Sequence, residues 1–213
     1  MSATIDPWLD KVYGARDADE VETHYDRWAV EYERDLMAAG YRYPPVAAAL
    51  VARHLATDAV ILDGGCGTGL VGEALAAVGY RDVIGLDLSE GMLDVARAKQ
   101  CYRRLIHGAL GETIEGVKPE SLDACVSFGV LTPGHAPPEA FLGMLAAVKP
   151  GGLLIFSVSR LAWEEGGFQA LADDLEAAGR WAPIEASEPI YAMPYSETEG
   201  HLTARLYVYR KAG

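Results

Sequence analysis

Residues 60–70 read V-I-L-D-G-G-C-G-T-G-L: a short apolar run ends on Asp63, glycines follow at 64, 65, 67 and 69, and an apolar helical pattern begins at Leu70. Glycine lets a backbone turn tightly and approach a ligand with no Cβ in the way, and the helix that follows offers unpaired N–H groups in its first turn. So dense a set of glycines carries an ordering cost that a ligand-free turn does not explain. The segment predicts a buried strand, a ligand-cradling loop and a helix, the opening unit of a parallel sheet.

The identity of the ligand turns on register. Gly67-Thr68-Gly69-Leu70-Val71-Gly72 matches G-x-G-x-x-G, a pattern that seats a pyrophosphate, but there the strand would run up to Gly67, and Asp63-Gly64-Gly65 interrupt it. Asp63 would repel a diphosphate and attract an ammonium group. A second strand candidate ends on Asp87, 24 residues after Asp63. A carboxylate there can accept from both hydroxyls of a ribose, which suits NAD and S-adenosylmethionine alike.

Ahead of the loop, Val21, Tyr25, Trp28, Tyr32 and Leu36 form one stripe of a helix over 17–40, and Pro44-Pro45 open a second helix. After it, the runs at 59–63, 82–87, 101–107, 123–130 and 151–158 are strand candidates separated by helical stretches, one capped by Ser89 and one opened by Pro137-Pro138. A helix over 163–178 precedes extended stretches at 181–191 and 202–209, whose connection has no room for a crossover helix, so they should pair antiparallel. The expected organisation is one domain over 1–213, with a helical cap at 1–58, a cofactor-binding core at 59–160, and a helix with an antiparallel strand pair at 161–213.

The charge balance, 18 basic against 31 acidic residues for a net -13, disfavours a phosphate backbone as partner unless basic residues cluster. The densest basic group, Arg97, Lys99, Arg103 and Arg104, reads as a solvated face. No apolar run approaches the roughly 20 residues of a membrane span, and the first residues lack a basic and an apolar leader region. Cys66, Cys101 and Cys125 fit neither a disulfide framework nor a zinc site. These features lead to the expectation of a cytoplasmic protein with no metal, no membrane and no nucleic-acid partner. G-x-S-x-G, H-E-x-x-H and G-x-x-x-x-G-K-[ST] are absent, which removes the hydrolase, zincin and P-loop readings.

D-G-G-C-G-T-G after strand one, G-L-D-L-S-E-G-M-L after strand two, D-A-C-V-S-F-G-V-L in strand four and V-K-P-G-G-L-L-I-F at strand five resemble class I S-adenosylmethionine-dependent methyltransferases over 59–160. Y-D-R-W-A-V-E-Y-E-R-D-L, G-Y-R-Y-P and T-P-G-H-A-P-P-E-A extend the resemblance, more narrowly, to the methyltransferase-like proteins of the Williams-Beuren syndrome region type. The resemblance implies a Rossmann-like, doubly wound α/β fold: a seven-stranded, mostly parallel sheet with an antiparallel last strand and an amino-terminal helical cap. It also implies site roles. Asp63 and Gly65 would face the methionine portion of S-adenosylmethionine, and Gly64, Gly65, Cys66, Gly67 and Gly69 would form the cofactor loop. Asp87 would hold the ribose, Leu88 and Met92 would line the adenine pocket, and Ser127 and Phe128 would floor the site beside the sulfonium. Tyr25 and Tyr32 would close over the methionine end, with Trp28 packing and Tyr13 reaching in from the amino-terminal arm.

One departure follows strand three, where many relatives bond the adenine amino group with an acid. Here the segment is His107-Gly108-Ala109-Leu110, leaving backbone groups of Ala109 and Leu110 or a displaced Glu112 for that task. No N-P-P-Y-like segment follows strand four, which weakens nucleobase amino methylation. His135 falls in a loop at the carboxyl edge of the sheet, where it could take a proton from an acceptor. Asp123 falls at the opposite edge, a structural position. The expected reaction is in-line transfer of a methyl group to a small-molecule nucleophile, with S-adenosylhomocysteine as product. A non-catalytic binder of the same cofactor and a nicotinamide-dependent oxidoreductase remain the competing readings.

Overall fold

Strands β1 (Ile61–Gly64), β2 (Val83–Asp87), β3 (Arg104–His107), β4 (Leu122–Leu131) and β5 (Val148–Ser159) run parallel in a computed structural model that describes residues 5–132 and 135–213. Two further strands extend this sheet: β8 (Thr203–Lys211) lies antiparallel between β5 and β6 (Trp181–Ala186), giving the order β3-β2-β1-β4-β5-β8-β6. These are the seven strands expected. An eighth, β7 (Ile190–Tyr191), pairs with β8 off that path. The stretch 181–191 thus divides in two: Pro189, between β6 and β7, has no N–H to give to a ladder. β1 is buried at every position, as a parallel strand covered on both faces should be. The order reverses between β1 and β4, so a crevice opens where their carboxyl ends part.

Helices α4 (Leu70–Ala77), α5 (Glu90–Lys99) and α6 (Ala140–Ala147) link the parallel strands. The Ser89 hydroxyl caps α5, accepting from the Met92 N–H at 3.0 Å. On one face of the sheet Phe141, Phe156, Trp181 and Tyr209 interlock, with Trp181 and Tyr209 stacked at 4.2 Å. Phe141 and Phe156 are fully buried, which stabilises by about 2–3 kcal/mol apiece. The other face packs Leu75 and Tyr80 beside Val51 of α3 (Tyr43–His54). Asp123 accepts from the Val60 N–H at 2.8 Å and pairs with Lys149 at 2.7 Å, tying the starts of β1 and β4 together.

The single helix expected over 163–178 is instead α7 (Arg160–Glu165) and α8 (Phe168–Ala177). A Cβ at Gly166 would meet the Ala162 carbonyl at 2.6 Å, and Gly167 has φ +84°, so the glycine pair turns the chain between them.

The cap comprises α2 (Ala18–Ala38), whose N-cap Asp17 accepts from the Glu20 N–H at 2.9 Å, and α1 (Asp6–Tyr13), a helix too short to show a stripe in the sequence. Both are tethered by carboxylates. Asp26 of α2 accepts from the Ser89 hydroxyl at 2.6 Å and the Gly91 N–H at 2.8 Å. Buried Asp6 accepts from the Ser196 and Thr198 hydroxyls at 2.6 and 2.7 Å. These bonds hold α1 and α2 over the carboxyl edge of the sheet. Among the described residues no helix is long and apolar enough to cross a membrane, and no side-chain cluster has the make-up of a metal site.

Candidate active site

The loop after β1 is clamped from β2. The Gly65 and Cys66 N–H groups donate to the Leu86 carbonyl at 2.7 and 2.9 Å, and the Gly67 N–H donates to Asp87 Oδ2 at 2.7 Å. Asp87 Oδ1 accepts from the Ser89 N–H at 3.0 Å. Burial raises the Asp87 carboxyl above its usual range, against the pull of these backbone donors. Gly67 itself has φ +53°, and a Cβ there would have Tyr32 Cε1, 4.0 Å away, as its neighbour across open space. The backbone is bare where a ligand would approach it.

That open space belongs to a cavity of about 310 Å³ at the switch point. Gly65, Cys66, Gly67, Asp87, Leu88 and Met92 line one side, Ala109, Leu110 and Phe128 another, and Tyr25 and Tyr32 cover it. Backbone and apolar groups of 108–111 form its far end, whereas Glu112 is exposed and outside the lining. The cavity contains a hydroxyl that sequence reasoning overlooked: Thr68 lines it, is 1% exposed, and its Oγ1 has no hydrogen-bond partner among the described residues. A buried orphan of this kind awaits a polar ligand.

Asp63, Gly64, Gly69 and Ser127 stand behind the loop and outside the lining. Ser127 Oγ donates to the Gly64 carbonyl at 2.9 Å, and the Tyr102 hydroxyl donates to Asp63 Oδ2 at 2.7 Å. Tyr102 comes from the segment before β3, 39 residues away, a pairing no local pattern reveals. Burial pushes the Asp63 carboxyl up to about 7, against the opposing Tyr102 hydrogen bond and with the Asp87 charge adding to the rise. A carboxyl raised above its unfolded value of about 4 binds its proton more tightly in the fold; its stabilising contribution is full below that value and is lost as pH climbs through the folded one. Wild type should therefore lose stability relative to Asp63→Asn between about pH 4 and pH 7, by on the order of a few kcal/mol. Thermal melts of both proteins across that range check this; a constant difference would show a carboxylate charged throughout.

A second cavity, of about 580 Å³, adjoins the first beneath the cap. Tyr25, Tyr32, Tyr41, Gly129 and His135 line both, so they form the wall where the two meet. Within it His135 Nε2 lies 2.5 Å from the Tyr25 hydroxyl, and Nδ1 lies 2.9 Å from Thr132 Oγ1. With Thr132 accepting from Nδ1–H, Nε2 accepts from Tyr25. Trp28 is 1% exposed, stacks on Trp8 at 5.8 Å and donates from Nε1 to Asp35. Tyr13, Tyr43 and Glu199 line the second cavity alone. Tyr41 and Tyr43 sit in the G-Y-R-Y-P string, whose resemblance was legible while its position over the site was not.

The model for the "Methyltransferase domain" family matches residues 62–156. The human protein "Methyltransferase-like protein 27" (Homo sapiens) is 37% identical over 169 residues, covering 76% of this chain and 68% of that one. The "18S rRNA (guanine-N(7))-methyltransferase" of Bos taurus is 41% identical over 71 residues, 33% of this chain and 25% of that one. Among solved structures, a TehB-like SAM-dependent methyltransferase from Corynebacterium glutamicum superposes with a TM-score of 0.65 at 23% identity, over 89% of this chain and 98% of that one. The bare Gly67 backbone, the Asp87 carboxylate and the orphaned Thr68 hydroxyl fit an adenosyl cofactor with a polar tail. Taken with a relative matched over two thirds of its length, they place the chain among the class I S-adenosylmethionine-dependent methyltransferases, with S-adenosylmethionine as its cofactor.

Proposed function

We propose that the chain methylates a small-molecule nucleophile seated in the second cavity. The observation that carries this reading is the shared wall: cofactor and acceptor chambers meet at Tyr25, Tyr32, Tyr41, Gly129 and His135. A chamber of about 580 Å³ has the size of a metabolite site. The densest basic group supports a small acceptor over a polyanion, because three of its four charges are paired with carboxylates, Arg97 with Glu90 and Asp94, Lys99 with Glu33 and Glu73, Arg103 with Asp82, while Arg104 donates to the Gly116 carbonyl at 2.9 Å. Little free positive surface remains there for phosphates, whatever the related rRNA enzyme does.

Bound in the first cavity, S-adenosylmethionine supplies an electrophilic methyl carbon on a sulfonium that departs as neutral S-adenosylhomocysteine. The protein's part is to align the acceptor and exclude water. In our reading Asp87 accepts from the ribose hydroxyls, Leu88 and Met92 pack the adenine, and backbone groups of Ala109 and Leu110 read its edge. Gly65, Cys66, Gly67 and Thr68 cradle the amino acid tail, with Phe128 as floor. Asp63, Gly64, Gly69 and Ser127 act from behind by holding the loop in shape. For an acceptor that must lose a proton, the Tyr25 hydroxyl passes its own to His135 while taking the acceptor's. Burial holds the Tyr25 phenol well above its ordinary range, so it serves as a conduit and not as a resident phenolate.

The test is transfer of isotopically labelled methyl from S-adenosylmethionine to metabolite, RNA and protein fractions of one extract. Label in the low-mass fraction is expected, and label confined to RNA or protein would overturn the small-molecule reading. Asp87→Ala should weaken S-adenosylhomocysteine binding about 30-fold, near 2 kcal/mol, the worth of hydrogen bonds to a charged group. Unchanged affinity by calorimetry would reject the ribose role.

A further inference from the structure

We propose that the acceptor of the second cavity is an organic amine, cationic at neutral pH, recognised by an aromatic box and the Glu199 carboxylate. This rests on the two-chamber reading above and adds the chemical class that the larger chamber selects.

The box is built mostly from rings set near right angles, with Tyr25 stacked on Trp28 at 5.9 Å. Trp28 and Tyr32 meet at 4.7 Å and 80°, Tyr25 and Tyr32 at 6.2 Å and 72°, and Tyr41 and Tyr43 at 5.4 Å and 89°. Rings in crossed planes around a cavity turn electron-rich faces toward it from more than one side, and an ammonium or methylated ammonium group is drawn to such faces. The hydroxyls of Tyr32 and Tyr41 make no hydrogen bond within the described residues, so their oxygen ends are available to such a group.

Charge separates an amine from the other acceptors that an aromatic chamber could hold. Glu199 and Asp10 both line it, and Tyr13 directs its hydroxyl to the Glu199 carboxylate. Arg160 is the one lysine or arginine in the lining; its side chain is 67% exposed and paired with Glu164 at 2.5 Å. A thiolate, carboxylate or phenolate would meet two carboxylates with no free guanidinium to offset them, whereas an ammonium would be drawn in.

The wall completes the chemistry. The ammonium gives up one proton through Tyr25 to His135, the freed nitrogen lone pair forms the new C–N bond, and the electron pair of the breaking C–S bond stays on sulfur. The products are the N-methylated ammonium and neutral S-adenosylhomocysteine, with the displaced proton on the imidazole.

Binding tests this without turnover. With the protein saturated in S-adenosylhomocysteine, choline and its neutral carbon isostere 3,3-dimethylbutan-1-ol are titrated by calorimetry. Choline is expected to bind at least about tenfold tighter, the usual worth of a desolvated cation in an aromatic box. Glu199→Gln should erase most of that preference and leave S-adenosylhomocysteine affinity within about twofold; Asp10→Asn, at an exposed position, gives a second readout should Glu199→Gln fold poorly. A companion assay offers primary amines, catechols, thiols and carboxylic acids with labelled cofactor, and the amines should take the label. Equal affinity for the two probes, undetectable choline binding, or methylation of another class with no amine turned over would overturn the amine assignment while the two-chamber reading stood. Failure of S-adenosylhomocysteine itself to bind would instead bring down the two-chamber reading.

Discussion

Gly67→Val is expected to lower S-adenosylhomocysteine affinity at least about 1000-fold, on the order of 4 kcal/mol, in a protein that still folds. The two halves of that expectation have separate causes. A β-branched side chain at φ +53° carries backbone strain of about 1–2 kcal/mol, a melting shift of about 3–8 °C for a chain of this size. The fold tolerates it because the new Cβ meets nothing closer than Tyr32 at 4.0 Å. The same emptiness makes binding intolerant, since the valine methyls would fill the space a cofactor must enter. Gly65 offers the contrast: a Cβ there would strike Val130 Cγ2 at 2.2 Å, so Gly65→Val reports on folding before it reports on binding. Calorimetry on a Gly67→Val protein with a cooperative melt decides the matter, and wild-type affinity would separate this loop from the cofactor.

His135→Ala should lower kcat about 100-fold for an acceptor that must shed a proton, the lower range of general base effects. Tyr25→Phe removes the hydroxyl 2.5 Å from Nε2 and should cost a similar factor. The double variant should be little worse than either, as befits two groups acting as one relay. Multiplicative losses would show that the pair shapes the wall without acting as one relay.

Local signals carried most of the fold into view. The apolar run of β1, the Asp87 at the end of β2 and the Ser89 cap each rest on a few neighbouring residues, and each is where the pattern put it. The mostly parallel sheet of seven strands with an antiparallel last strand came from the resemblance joined to alternating strands and helices, while the strand order came only with the structure. What escaped depends on distance along the chain. α1 is held by Asp6 through bonds spanning 190 residues and more, and β7 is a strand of two residues that exists because β8 offers it an edge. The periodicity of 163–178 hid the break at Gly166-Gly167, a matter of one φ angle. In the site, glycines and carboxylates of the cofactor loop were legible because their chemistry is local. Tyr102 and Glu199 were not, since each matters through what a distant segment places beside it, and Thr68, though inside the loop, shows its buried unpaired hydroxyl only in the folded chain.

The clasp between Asp6 and the Ser196–Thr198 segment has a consequence for how such a chain can diversify. Recognition of the universal methyl donor is written into the loops after β1, β2 and β3, while the larger chamber is roofed by segments that the clasp helps to draw together from far along the chain. The two vocabularies share little beyond their common wall. A lineage could rewrite the roof, and with it the molecule it modifies, while leaving the donor's berth untouched.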